Sequence, residues 1–485
     1  MVSKLIVIGI DGMDYDVVRR HEDILPNISQ MMRNWNYPRL RSVFPADTTP
    51  AWSTIFTGLD PSEHGIINFV NMGDRENKYK PLVFDDSEFK GQTFWDELCR
   101  RGYRCAVLFP MNIKHGWDID SLMITRPHEG KIAVHPEDKR AKYAPSERIL
   151  CTDPKFTSEK KLSALLDDFI AKSKEEFRIT KAAAENEDVD MLFTYFSAVD
   201  GVQHEFWKYY DKSHPEYPGE NEFSDAIPGI YRLADSFVGE LSDMCPGARI
   251  LVVSDHGHGA RPVYSARVNE MLRRGGFLAP KNIGRAGELA RTRVNVKNTL
   301  KKAALGFVKC FGLPGPAVKL AKKLPFWKGL FASSGDFDWE NTCAYLSDLS
   351  ALKNYSYGGI RLSANAVKTE EEKDRLCENI VSYLRDIKID GEETPAFLWI
   401  RRTNTLYHGK YLDRSPEIIF QLDERYGADW NLGERLFEKQ GGFMHRLSPG
   451  AHRYETAVIA SRGVPLDKIQ YEMTDLYDIV LHAMD

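Results

Sequence analysis

The chain has few cysteines for its length: seven in 485 residues (Cys99, Cys105, Cys151, Cys245, Cys310, Cys343 and Cys377), scattered and without a Cys-x-x-Cys pair. An odd, unclustered set argues against a disulfide framework and against a cysteine-built zinc site, and the expected setting is reducing and cytoplasmic. No run approaches the roughly 18 apolar residues of a membrane-crossing helix. The opening MVSKLIVIGIDGMD has a short apolar stretch, but Asp11 interrupts it too early for a secretory signal and no small-residue cleavage site follows. Neither sign of charge dominates. With 65 Lys and Arg against 70 Asp and Glu, the net charge of −5 gives no reason to expect a nucleic-acid partner. Internal repeats and low-complexity tracts are also missing.

What remains is the composition of an ordinary soluble globular protein, with 42% hydrophobic and 28% charged residues. The length exceeds the roughly 250–300 residues at which one core stops growing, so a large domain with an inserted element is expected. Short apolar runs at 5–10, 105–109, 191–196, 250–253 and 456–460 read as buried parallel strands. Helical patterns lie between them. In 160–177, Leu162, Leu165, Leu166, Phe169 and Ile170 recur at helical spacing, with lysines and acids opposite. Alternating strands and helices predict an α/β fold with a central, mainly parallel sheet flanked by helices, whose ligands sit beyond the carboxyl ends of the strands.

Residues 281–328 differ from the rest: twelve Lys or Arg stand against one acid, Glu288. Leu300, Ala304, Phe307, Val308 and Phe311 share a helical face there. This stretch reads as a basic helical insertion or cap (281–340) between two parts of a catalytic core (1–280 and 341–485). A cap over an anionic substrate and a peripheral membrane contact through 281–328 are both open readings.

The strand ends carry the chemistry. The run 5–10 ends in Asp11-Gly12, the run 250–253 ends in Ser254-Asp255-His256-Gly257, and the run 191–196 is followed by Asp200 and His204. An acid after a strand also serves as a helix N-cap, and an Asp/His pair at i, i+4 is commonly a surface pair. Three such elements at three strand ends instead make a mixed carboxylate–imidazole set suited to zinc or a similar divalent ion. His452, in Gly450-Ala451-His452-Arg453, is the candidate third ligand beside Asp200 and His204. His64 is expected to be structural within its turn, and His258 to line the pocket or orient a neighbour. In Phe44-Pro45-Ala46-Asp47-Thr48-Thr49-Pro50, a hydroxyl at a helix start is either an N-cap or a nucleophile activated by a bound cation.

These segments resemble the alkaline phosphatase superfamily, and within it the type I phosphodiesterase/nucleotide pyrophosphatase family. The matching motifs are F-P-x-x-T-x-P at 44–50, T-G-x-x-P-x-x-H-G-I at 57–66, D-x-x-x-H at 200–204, S-D-H-G at 254–257 and G-x-H-R at 450–453. The resemblance implies an alkaline phosphatase-like core with two divalent ions, zinc or else manganese. Asp11, Asp255 and His256 would hold one, which also contacts Thr48. Asp200, His204 and His452 would hold the other. It further implies that Thr48 rather than Thr49 attacks phosphorus and becomes a phospho-threonine. Asn68 and Asn71 are the two candidates for hydrogen bonding a phosphoryl oxygen. The residues after the nucleophile, Thr49-Pro50-Ala51-Trp52, depart from the aromatic-Pro-Asn-His of animal nucleotide phosphodiesterases, a change expected to lie beside the substrate pocket.

The expected activity is hydrolysis of a phosphodiester or pyrophosphate bond in a small phosphorylated substrate, a nucleotide or a lipid-linked compound. Phosphomonoesterase and phosphonate hydrolase activities fit the same core. A non-catalytic membrane- or polyanion-binding protein is the reading of another class.

Overall fold

The computed structural model describes residues 2–68, 86–126, 132–144, 161–281, 337–347, 349, 354–439 and 448–485. Asn71 and nearly all of the basic stretch, from 282 on, lie outside the described residues, so the cap and membrane-contact readings do too.

A nine-stranded sheet organises the chain. Its spatial order is Gln470–Glu472, Arg39–Arg41, Ala457–Arg462, Arg249–Val253, Val2–Ile10, Val189–Phe196, Cys105–Leu108, Ser121–Thr125 and Ala133–His135. The five strands from Arg249–Val253 to Ser121–Thr125 run parallel. Both faces of these strands are covered, which is why they are apolar without alternation. Leu5, Ile6, Val7 and Ile8 are each at most 1% exposed. Helices Pro26–Asn34, Leu162–Asn186 and Ala226–Met244 pack together on one face, where Phe177 stacks on Phe237 beside Phe196. On the other face, Thr48–Thr57 brings Trp52 against Phe193 and across Gly9, where a side chain would collide with the indole.

The run expected as a parallel strand at 456–460 is a correction. Ala457–Arg462 pairs antiparallel with Arg249–Val253. The chain returns to the sheet at its carboxyl edge, from the ribbon that joins Gly450–Arg453 to Gly257–Ala260, and therefore enters this strand running the other way.

Between Val253 and Ala457 the chain leaves the central sheet. It builds a four-stranded antiparallel sheet from Ala344–Leu346, Tyr357–Leu362, Ile418–Leu422 and Phe397–Arg402. Helix Glu370–Arg385 covers that sheet, and Ile360, Ile380, Leu384 and Phe420 form a separate core. The flanks of the basic stretch meet: Pro280 bridges Phe337, and the Asp338 amide donates to Ala279 O at 2.9 Å. Among the described residues, no helix is long and apolar enough to cross a membrane.

Candidate active site

The predicted ligands come together at the carboxyl edge of the parallel strands. Asp11 follows strand Val2–Ile10, and its amide donates to Phe196 O at 2.9 Å. Gly12, at φ 65°, turns the chain so that its amide donates to Asp255 Oδ1 at 3.0 Å. The N-cap role that competes for an acid after a strand falls to Asp14, which accepts from the Asp16 and Val17 amides. Asp11 is thus left for other work. Its Oδ2 accepts a short hydrogen bond from Tyr195, while its Oδ1 is buried with no hydrogen-bond partner among the described residues. Asp200 Oδ1 and Asp255 Oδ2 share that condition. A buried carboxylate oxygen without a donor is costly unless a cation neutralises it.

Three imidazoles share one orientation. His204 Nδ1 faces Gly450 O at 3.1 Å, His256 Nδ1 faces Gly257 O at 3.0 Å, and His452 Nδ1 faces Ala46 O at 2.9 Å. A carbonyl only accepts, so each Nδ1 carries the ring's hydrogen and each Nε2 presents a lone pair when the ring is neutral. Those lone pairs point at the carboxylates. His256 Nε2 lies 3.5 Å from Asp11 Oδ1 and 3.2 Å from Asp255 Oδ2. His204 and His452 Nε2 lie 3.4 and 3.5 Å from Asp200 Oδ1. A backbone carbonyl fixing the far nitrogen is the usual support of a metal-ligating histidine. Asp11, Asp255 and His256 form one group able to hold an ion, and Asp200, His256 and His452 another.

Electrostatics agree with this reading. Burial, then mutual repulsion with Asp255 and Asp200, pushes Asp11 well above the usual carboxylate range. Burial raises Asp255 to about 7 and lowers His256 to about 4. Asp11, Asp255 and His256 are thus driven toward their uncharged forms, whereas Asp200, despite its burial, is held well below the usual carboxylate range by His204, His258 and His452. A divalent cation would restore charge to the acids while preferring neutral rings, so the donor set fits such an ion.

Thr48 is the first residue of helix Thr48–Thr57, with Asp47 in the N-cap position, so it is not the cap. Its Oγ1 lies 3.1 Å from His256 Nε2. Thr49 is buried beneath it, and its carbonyl accepts from Asn112 and Ser53. The expectation that 49–52 flank the substrate pocket needs correction at Trp52. That side chain is fully buried against the sheet, because the helix turns this face to the core. Asn68 is buried, with its Nδ2 3.4 Å from Leu349 O. His64 is structural: Nε2 meets Thr54 Oγ1 at 3.1 Å and Nδ1 accepts from the Ile66 amide at 3.0 Å.

Three supporting residues escaped the sequence reading. Tyr195 stands opposite Gly9 in the sheet, one position before the strand's carboxyl end. Its place in a predicted strand beside the Asp11 strand was the available signal. Gln203 donates to Gly12 O at 2.7 Å, and Ser448 Oγ lies 3.3 Å from His204 Nδ1. Gln203 fills an unspecified position of D-x-x-x-H, and Ser448 lies outside the motifs.

The architecture is the one seen in a phosphonoacetate hydrolase from Sinorhizobium meliloti 1021 solved with phosphonoformate. The two superpose with a TM-score of 0.54 over 100% of this chain and 96% of that one, at 13% identity. That likeness is one of fold. More narrowly, the family model for type I phosphodiesterase / nucleotide pyrophosphatase matches residues 5–435, and the chain belongs to that family. His452 lies beyond the matched range, so its inclusion rests on geometry. A Schizosaccharomyces pombe protein described as an uncharacterized pyrophosphatase/phosphodiesterase is 35% identical over 123 residues, 23% of this chain and 24% of its own length. A venom phosphodiesterase of Macrovipera lebetinus is 27% identical over 112 residues, 22% of this chain and 13% of its own. The matches thus span less than a quarter of either relative.

Proposed function

We propose that the chain hydrolyses phosphodiester or pyrophosphate bonds of a small phosphorylated substrate, a nucleotide or a lipid-linked compound, through a phospho-threonine at Thr48. One observation carries the reading: Thr48 Oγ1 sits 3.1 Å from His256 Nε2 at a helix N-terminus. Asp11, Asp255 and His256 would hold one divalent ion, and Asp200, His204 and His452 a second. Zinc suits this mixed set, with manganese the other candidate. When bound, such ions lower the pKa of a coordinated hydroxyl and offset charge on the phosphoryl oxygens.

The chain's own groups supply the rest. The N-terminal end of helix Thr48–Thr57, with its first-turn amides and the positive end of the helix dipole, favours an anion beside Thr48. Asn68 or Asn71 donates to a phosphoryl oxygen. Thr48 gives up its hydroxyl proton and Oγ bonds to phosphorus as the bond to the leaving oxygen breaks, that oxygen departing as an alcohol or phosphate that takes up a proton. Water then attacks phosphorus, the bond to Thr48 Oγ breaks, and the hydroxyl is restored.

Hydrolysis of bis(p-nitrophenyl) phosphate against p-nitrophenyl phosphate, with wild type and Thr48→Ala, tests the reading. Faster cleavage of the monoester would favour the phosphomonoesterase alternative. Full activity in Thr48→Ala would remove Thr48 as nucleophile. Inert zinc-loaded protein that binds anionic liposomes would favour the non-catalytic alternative.

A further inference from the structure

A fourth imidazole enters the site, and its surroundings differ from those of the other three. His258 lies on the ribbon strand Gly257–Ala260, directly opposite His452. The side chain is fully buried, and among the described residues neither ring nitrogen has a hydrogen bond of good geometry, Asp200 Oδ1 being the nearest acceptor. Its place is fixed from several sides. The backbone amide donates to Asp14 Oδ2 at 3.0 Å, and the Trp207 ring stacks on the imidazole at 5.6 Å and 29°. The Nε2 end abuts Gly450, where an added Cβ would lie 2.5 Å from that nitrogen. Only Nδ1 therefore faces the site, 3.3 Å from Asp200 Oδ1.

Asp200 Oδ1 is thus ringed by three imidazole nitrogens, at 3.3, 3.4 and 3.5 Å, and among the described residues it has no hydrogen bond of good geometry. Asp200, His204 and His258 form a group of the right spread to hold an ion. A buried imidazole satisfied at neither nitrogen is unfavourable, and one aimed at an unsatisfied carboxylate oxygen has the environment of a ligand.

We propose that His258 Nδ1 is a protein ligand of the ion held at Asp200, an inference that rests on the two-metal reading above. That site then offers three imidazoles and one carboxylate, against one imidazole and two carboxylates at Asp11 and Asp255. Imidazole-rich sets prefer borderline ions such as zinc or cobalt(II) to magnesium or manganese, so the two positions differ in selectivity.

The test uses the metal-free full chain with zinc or cobalt(II) as probe. With ¹⁵N-labelled histidine, zinc is expected to shift Nε2 of three rings (His204, His256, His452) and Nδ1 of one. His258→Ala is expected to weaken one of two zinc sites on the order of a hundredfold, judged by competition with a chromophoric chelator, and to leave the other unchanged. His258→Cys, loaded with cobalt(II), is expected to show a thiolate-to-cobalt charge-transfer band. Zinc coordination through Nε2 alone in the wild type would overturn the proposal, as would two unchanged affinities in a folded His258→Ala. The wild-type labelling needs no variant, so it decides even where the substitutions fail to fold. A wild type that binds no ion would instead bring down the two-metal reading itself.

Discussion

His204 Nε2 lies 2.9 Å from His452 Nε2, and the Nδ1 of each ring faces a backbone carbonyl. Two neutral imidazoles held this way place lone pair against lone pair, and burial lowers His204 well below its ordinary pKa, so a proton is a poor remedy. A shared cation would resolve the conflict. The carbonyls responsible, Gly450 O and Ala46 O, come from the ribbon beside His258 and the loop before Thr48, so this orientation of the two rings is built into the backbone.

Zinc is therefore expected to stabilise the fold strongly. Free zinc at a hundred times its dissociation constant adds about 2.7 kcal/mol for one site that the unfolded chain lacks. Thermal melts of chelator-treated protein, with and without added zinc, measure the shift. In His452→Ala the zinc-induced rise in Tm should shrink, because one of the two opposed lone pairs is gone. An equal rise in wild type and variant would count against ligation by His452.

Thr48→Ala is expected to lower turnover on the order of a thousandfold or more, the scale on which removal of a nucleophile acts. Thr48→Ser keeps the hydroxyl at the same helix position and should remain within about tenfold of wild type. Thr49→Ala, by contrast, should leave turnover near wild type. Rapid quench with ³²P-labelled substrate should trap labelled wild type and no labelled Thr48→Ala. Retained activity in Thr48→Ala together with its loss in Thr49→Ala would transfer the role to Thr49.

The parallel strands, and the meeting of Asp11, Asp255 and His256 at their ends, were legible in the sequence because each depends on local pattern: an apolar run, then an acid or Asp-His at its end. The direction of Ala457–Arg462 was not, since an apolar run is the same in either direction and only the route of the connection decides. Trp52 was misjudged because it stands one full helical turn beyond Thr48, where the helix has passed from the sheet's edge onto its face and packs on Phe193 and Gly9. His258 is an intermediate case. The residue is visible two positions after His256, but only the pairing of Gly257–Ala260 with Gly450–Arg453 brings its ring beside His204, at 4.6 Å between centroids.

His64 gives the protein a pH dependence separate from the metal ligands. Burial lowers it from the ordinary 6.5 to about 3, so the native ring stays neutral while the unfolded chain takes up a proton below 6.5. Stability from this residue is complete above 6.5 and is lost as pH falls toward 3. Between pH 7 and 5 the loss reaches up to about 2 kcal/mol, at 1.36 kcal/mol per pH unit below 6.5. His64→Gln should keep the hydrogen bonds to Thr54 and Ile66 in part, and should lose less on acidification. Urea midpoints of both proteins at pH 7 and pH 5 provide the comparison. Parallel losses would show that His64 does not carry this dependence.

Tyr195→Phe tests whether the support of Asp11 matters to the ion. The phenol donates to Asp11 Oδ2, which leaves Oδ1 turned toward His256 Nε2, and the ring packs edge-on against Trp52 at 5.2 Å. Phenylalanine keeps that packing and removes only the donor. In the metal-free protein the buried carboxyl then loses its partner, at a cost of about 1–3 kcal/mol. With zinc present, affinity at the Asp11 site should fall about 10–100-fold, as for loss of a group that orients a ligand. Chelator competition on the variant reads that affinity directly, while affinity at the Asp200 site serves as the internal control. A uniform weakening of both sites would mean that Tyr195 supports the sheet edge as a whole, whereas a selective one assigns it to Asp11.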